Sequence, residues 1–334
     1  MVCFLVIGDP HFKTSNVEET GALHTQTENF LKHYPVDFIV CLGDILDTHE
    51  RIHLDPFHRA IEFLKMLARY APSYLLIGNH DRRNNSDYLS GIHAFCGVSI
   101  KNLTIVDKVE HSLIDGMDFV FVPYVPPGRF EESLQTCSFD YKQSRCIFAH
   151  QEFKGCKMGA IISENGDPWP TELPLVVSGH IHDFQVPQPN IIYTGTPLQH
   201  AFGDSDDKSL FLFSMTKGDM SIQRVTLLID KKVIVHIDRN EFESFRPKEH
   251  QVVKLVVHGT PEELKVVKSS EHSNTLKKMG VKVFFKARDV TDTTICQEIR
   301  DLKKREQLTF ETVLFRTVQD DPEMVEMYKE IITP

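Results

Sequence analysis

Apolar residues along the chain come in short runs that stop abruptly at a glycine, an aspartate or a histidine. Five of them fall in the first 182 positions: FLVIGDPH (4–11), DFIVCLGD (37–44), SYLLIGNHD (73–81), RCIFAHQE (145–152) and LVVSGHIH (175–182). Runs of this length and composition predict strands buried on both faces, as in parallel sheets. Between the first three lie helical patterns, TGALHTQTENFLKHY (20–34) and DPFHRAIEFLKMLARY (55–70). The second is expected to start with Asp55 as N-cap and Pro56 at the first helical position. Alternation of this kind argues for βαβ units. From about residue 100, NLTIVDKVEHSLIDGMDFVFVPYVPPG reads as short strands with turns, a hairpin addition to the sheet. Strands continue through IIYTGTPLQHAFGDSDDKSLFLFSM and DMSIQRVTLLI.

The expected fold class is α/β, two packed mixed sheets flanked by helices, with a small C-terminal α+β domain. A break is expected near FESFRPKEHQ (242–251). Past it, VVKLVVHG and VKVFFKAR read as strands, TPEELKVVK as a helix begun by Thr260 and Pro261, and TDTTICQEIRDLKKREQ and DDPEMVEMYKEIIT as further helices. The domains are therefore expected at 1–245 and 246–306, with a helical tail at 307–334.

Composition narrows the class. No run approaches the ~20 apolar residues of a membrane span, and no basic stretch precedes an apolar one at the N-terminus. Seven scattered cysteines, never spaced as CxxC, fit an intracellular, reducing compartment (cytoplasm, nucleus or a viral replication site) and argue against secretion, a disulfide scaffold or a zinc ribbon. The net charge of -10 speaks against a nucleic-acid partner, yet residues 246–318 hold 15 basic and 10 acidic residues. Such a segment fits a nucleic-acid grip or a solvated face of mixed charge.

The strand ends carry the chemistry. They offer Asp9 with His11, Asp44, Asn79 with His80, His150, and His180 with His182. Taken alone, FLVIGDPHF fits equally a polar turn whose Asp9 caps the next helix. Five such ends in succession point instead to metal ligands, because residues two apart on a strand share a face and D-x-H or H-x-H aims two donors at one point. Carboxylate, imidazole and amide oxygen without thiolate suit a hard or borderline divalent ion, manganese first and magnesium second. The seven candidates Asp9, His11, Asp44, Asn79, His150, His180 and His182 are too many for one ion and suit a pair. Two ions ~3.5–4 Å apart form a clamp for phosphate esters.

GDPH, GDILD, GNHD, AHQE and GHIH, in this order, resemble the five signature motifs of the calcineurin-like metallophosphoesterase superfamily. The resemblance covers about residues 1–230. It implies that Asp9, His11 and His182 hold one metal, that Asn79, His150 and His180 hold the other, and that Asp44 bridges. It also implies that His80 is the catalytic histidine, stabilising the phosphate transition state or protonating the leaving oxygen. GDILDT and GNHD differ from the GD-x-x-DRG and GNHE of protein serine/threonine phosphatases, and IIYTGTPLQHAFGDSDDKSLFLF resembles the corresponding turn and acidic loop of SbcD-type DNA double-strand-break repair nucleases, compact phage or viral members above all.

That second likeness implies a manganese-dependent double-strand exonuclease and single-strand endonuclease, a DNA-capping second domain, an SMC-like ATPase partner and a homodimer. The stretch from about Gln307 to Thr333 would be what is available to dock the ATPase, and helix 55–70 would serve either core packing or the dimer contact. Lys303, Lys304 and Arg305 would bind DNA phosphates or lie on a solvated helix face. Asp47, where some relatives place a second histidine, is given no catalytic role; His200 is left open between a structural group and one facing the substrate. A phosphatase or small-molecule phosphodiesterase would keep the metals without needing the basic second domain. A non-catalytic DNA-binding subunit would not need the intact ligand set.

Overall fold

The computed structural model describes residues 1–288 and, beyond them, Val325 alone. The helices expected in 291–307 and 320–333, and the candidates Lys303, Lys304 and Arg305, lie outside the described residues. The chain divides into two compact units, Met1–Val233 with Glu249–Val252, and Ile234–Lys248 with the chain from Val253 onward.

The first unit runs β1 (Val2–Ile7), α1 (Val17–His33), β2 (Phe38–Cys41), α2 (Leu54–Tyr70), β3 (Ser73–Leu76) and β4 (Leu103–Val106). Then come the hairpin β5 (Glu110–Ile114) and β6 (Met117–Phe121), α3 (Phe130–Leu134) and β7 (Cys146–Ala149). It continues with the small hairpin β8 (Lys157–Met158) and β9 (Ile161–Ile162), then β10 (Leu175–Ser178), β11 (Gln185–Gln188), β12 (Ile191–Tyr193), β13 (Ser209–Met215) and β14 (Met220–Thr226). One sheet has the order β14-β13-β1-β2-β3-β4 and the other β11-β12-β10-β7-β6-β5. Strands β1 to β4 are parallel, as are β12, β10, β7 and β6, and the remaining pairings in these two sheets are antiparallel. This is the expected mixed α/β architecture. The stretch after residue 100 is divided between the sheets: β4 closes the first, and the β5–β6 hairpin lies at the edge of the second.

The two sheets pack through their inner faces, where β1, β2, β6, β7 and β13 contribute an aromatic cluster. Phe4 stacks on Phe38 at 4.6 Å and on Phe213 at 5.2 Å, and meets Phe148 edge-on at 5.4 Å. The outer face of the first sheet is covered by α1 and α2. Helix α2 begins at Leu54 with His53 at its N-cap, so Asp55 and Pro56 sit inside the first turn. Proline is tolerated there because first-turn N–H groups have no partner within the helix, and the Asp55 carboxylate is favoured by the helix dipole. It pairs with Arg59 at 3.2 Å. Leu64, Met66 and Leu67 of this helix are buried in the core of their own chain, the packing role expected as one of its two readings.

The second unit holds most of a three-stranded sheet, β15 (Lys231–Asp238), β16 (Gln251–Gly259) and β17 (Lys282–Ala287), with β16 in the centre. Helix α4 (Pro261–Lys268) starts where the sequence places it: Thr260 and Glu263 form a reciprocal capping box. Helix α5 (Glu271–Lys278), capped by Ser270, was not foreseen. Its eight residues carry one fully buried apolar side chain, Leu276, too little for a visible periodic pattern.

Removing the inter-sheet ring in Phe4→Ala is expected to cost about 3–5 kcal/mol, read as a lowered denaturant midpoint. Truncating the exposed Leu228 should cost less than about 0.5 kcal/mol. Equal losses would contradict the placement of the core.

Candidate metal centre

The parallel strands β1, β2, β3, β7 and β10 each deliver their motif from the carboxyl end. All seven ligand candidates are brought together. Donor atoms of Asp9, His11 and His182 lie within 4.8 Å of one another, and so do those of Asp44, His150 and His180. Asn79 joins the second group, its Oδ1 3.0 Å from His150 Nε2 and 3.1 Å from His180 Nδ1. Asp44 stands between the groups, with Oδ2 3.3 Å from His150 Nε2 and 3.7 Å from His11 Nε2.

The backbone is bent to achieve this. His11, Asp44 and His180 have φ of 44°, 46° and 77°, a region that non-glycine residues seldom occupy. Glycine is required beside them. A Cβ on Gly78 would collide with the Asp44 carboxylate and backbone, and one on Gly179 with Asp9, Leu42 and His150.

Backbone groups fix the donor atoms. Leu42 O lies 2.8 Å from His150 Nδ1; a carbonyl only accepts, so that nitrogen carries hydrogen and Nε2 faces the centre. The His180 N–H donates to Asp9 Oδ2 at 2.7 Å and the His80 N–H to Asp44 Oδ1 at 2.8 Å. His80 Nδ1 donates to Asp47 O at 2.7 Å, leaving its Nε2 for chemistry.

Four residues that sequence reasoning did not place also line the centre. Asp47 Oδ1 lies 3.4 Å from His11 Nδ1, and its carboxyl is held well below the ordinary range by that imidazole and by Lys13. His49 stacks on His80 at 4.4 Å. His200 packs its ring on His11 at 4.5 Å and donates from Nε2 to Asp9 O at 3.0 Å. Asp81 is buried; its carboxylate accepts from the N–H groups of Leu46 and Gly78, and burial, with Asp44 nearby, pushes its pKa up to about 7. Only Asp81 had a local signal, as the last residue of GNHD; the others depend on tertiary approach.

The comparisons with known proteins agree with this geometry. A family model described as Calcineurin-like phosphoesterase matches residues 4–184. The chain belongs to the calcineurin-like phosphoesterase family. It is similar to "Putative phosphoesterase 078R" of Invertebrate iridescent virus 3, 38% identical over 311 residues that cover 91% of this chain and 89% of that protein. It is also similar to "Putative phosphoesterase 244L" of Invertebrate iridescent virus 6, 40% identical over 276 residues, 80% of this chain and 97% of that one. A more distant relative is the "DNA double-strand break repair protein Mre11" of Thermoplasma acidophilum, 26% identical over 262 residues, 67% of this chain and 66% of that protein.

As a member of this family the chain is a metal-dependent hydrolase of ester bonds. The donor set fits divalent ions. Among the described residues, Asp9 Oδ1 and both ring nitrogens of His11 are buried without a hydrogen-bond partner; the carboxylate oxygen and the one unprotonated nitrogen of the ring offer lone pairs whose burial costs free energy unless a cation takes them. Burial, and the neighbouring Asp44, push Asp9 up to about 8 against the pull of His150. Burial opposes the charged form of His150, but Asp44 and Asp9 outweigh it and raise the group to about 9. For Asp44 burial is overcome by His150, His11 and His80, which hold the carboxyl far below its ordinary range. Burial, assisted by His150 and by His11 respectively, lowers His180 to about 3 and His182 to about 4, so both rings are neutral near pH 7, the form in which an imidazole can bind a metal ion.

Metal-free protein near pH 7 therefore holds protons on Asp9 and His150 that an ion must displace. Titration calorimetry in two buffers of different ionisation heat should show proton release on metal binding, with affinity rising between pH 7 and about 9. Buffer-independent heats would contradict this protonation scheme.

Proposed function

We propose that this phosphoesterase is a two-metal DNA nuclease subunit, a double-strand exonuclease and single-strand endonuclease acting in DNA repair, recombination or replication. The observation that carries the reading is the 26% identity to a DNA double-strand break repair protein over 262 residues, which runs past the family match into the chain's later part. In this reading Asp9, His11 and His182 hold one ion, Asn79, His150 and His180 the other, and Asp44 bridges them. Oxygen and imidazole donors without thiolate favour manganese, with magnesium as the substitute. DNA and an SMC-like ATPase are the partners, the ATPase docking through the tail from Gln307 to Thr333.

Two divalent ions bound here supply Lewis acidity and charge neutralisation to a phosphodiester. The chain's own residues do the rest. Asp44 uses one carboxylate oxygen on the backbone N–H of His80, which ties the backbone of His80 to the carboxylate. The Asp47 carbonyl holds Nδ1–H, so the proton passed to the leaving oxygen comes from Nε2 of His80. His49, stacked on that ring, restricts its rotation.

Linear double-stranded DNA with manganese is the test substrate. His80→Ala should lower kcat by about 10²–10⁴ while the protein retains its ions. DNA left intact by wild type that hydrolyses a small aryl phosphodiester would favour the phosphatase or small-molecule phosphodiesterase reading. Retention of full cleavage by His80→Ala would remove the proton-transfer role.

A further inference from the structure

Next to His80 lies a second cavity, of about 150 Å³, that does not contain the ligand cluster. One wall is the loop after β2, with Thr48, Glu50 and Arg51, and the other comes from His80 to Arg83 and from His93. Basic groups outnumber acidic ones in its lining, although Asp107 stands 3.5 Å from His93 and, with Asp81 and Asp87, near Arg82. Arg51, Arg82 and Arg83 converge on it, and His80 and His93 add imidazoles. Of the two acids in the lining, Asp81 is spent on backbone N–H groups, and Glu50 is exposed at the rim.

The arginines differ in what they have left to give. Arg83 is paired with Asp87 at 2.9 Å. Arg82 is 1% exposed, and while its Nη1 donates to Asp87 O, its Nε and Nη2 have no hydrogen-bond partner among the described residues. Leaving guanidinium donors buried and unpaired is costly, and their natural complement is an anion with several acceptor oxygens. Arg51 is exposed, and among the described residues its guanidinium has no partner; only its backbone is engaged, with His49 and Thr48.

We infer that this cavity is a subsite for a second phosphate, one that flanks the scissile phosphodiester in a nucleic-acid strand, and that Arg51 and Arg82 are its ligands. The inference rests on the nuclease reading and deepens it. His80 lines both the catalytic centre and the cavity, so a polyanionic strand that places one phosphate at the ions has the next within reach of Arg51. An ester with a single phosphate gains nothing from the cavity. The site therefore selects polynucleotides over small phosphoesters, and does so without reading bases.

The experiment compares hexathymidylate with bis(4-nitrophenyl) phosphate, both with manganese, in wild type, Arg51→Ala, Arg51→Lys and Arg82→Lys. Arg51 is exposed and its truncation should not disturb folding. The expected result is that Arg51→Ala raises KM for hexathymidylate by about tenfold more than for the single phosphodiester, the loss of a charge-assisted contact. Arg51→Lys should recover part of it, and Arg82→Lys should shift the same ratio. Salt dependence gives a second readout: the slope of log affinity for the oligonucleotide against log salt should shrink by about 0.7 in Arg51→Ala, one phosphate contact. Wild type that cleaves hexathymidylate with a KM ratio and salt slope untouched by Arg51→Ala overturns the subsite alone. Wild type that cleaves only the small ester overturns the nuclease reading and the subsite with it.

Discussion

Two aspartates, Asp9 and Asp44, are 0% and 2% exposed within one cluster, and among the described residues no lysine or arginine pairs with either. Burying two carboxylates side by side is unfavourable by desolvation and by mutual repulsion. Histidine protons relieve the strain only in part, since the same cluster holds His11, His150, His180 and His182, whose positive charges would repel one another. Divalent cations solve both problems at once. The rest of the architecture can be understood as the means of keeping these groups together until cations arrive.

Strands β1, β2 and β3 are neighbours in one sheet, β7 and β10 in the other, and the phenylalanine cluster between the sheets fixes their spacing. Each of the five ends at the same rim, so the candidate ligands need no flexible loop to reach one another. The cost appears in the backbone, with three candidate ligands at positive φ and glycines Gly78 and Gly179 pressed against carboxylate and imidazole. Packing and hydrogen bonding on every side hold that geometry in place. The same rigidity transmits position to His80, whose N–H and Nδ1 are both bound to the segment around Asp44 and Asp47.

Much of this was legible in the sequence because the information is local. A buried parallel strand requires a continuous apolar run, and an exit turn requires glycine, so GDPH, GDILD, GNHD, AHQE and GHIH advertise both the strand and the donors that follow it. What was not legible is the contact between distant segments. Asp47 looked inert because nothing near it in sequence shows that its carbonyl meets His80 and its carboxylate His11. His49 and His200 sit in turns without a pattern, and only the fold stacks them on His80 and His11. The start of α2 lies two residues earlier than expected, with His53 rather than Asp55 at the N-cap, because proline and aspartate are compatible with several first-turn positions. The division of β4 from the β5–β6 hairpin depends on which sheet each edge joins, and alternation along a strand does not say.

Metal stoichiometry tests the central claim most directly. Protein stripped by chelator, reloaded with manganese and freed of excess ion should contain two ions per chain by elemental analysis, and Asp44→Asn, which weakens the bridge between the two groups, should retain fewer. One ion per chain in wild type, or two in both proteins, would contradict the account of a carboxylate-bridged pair.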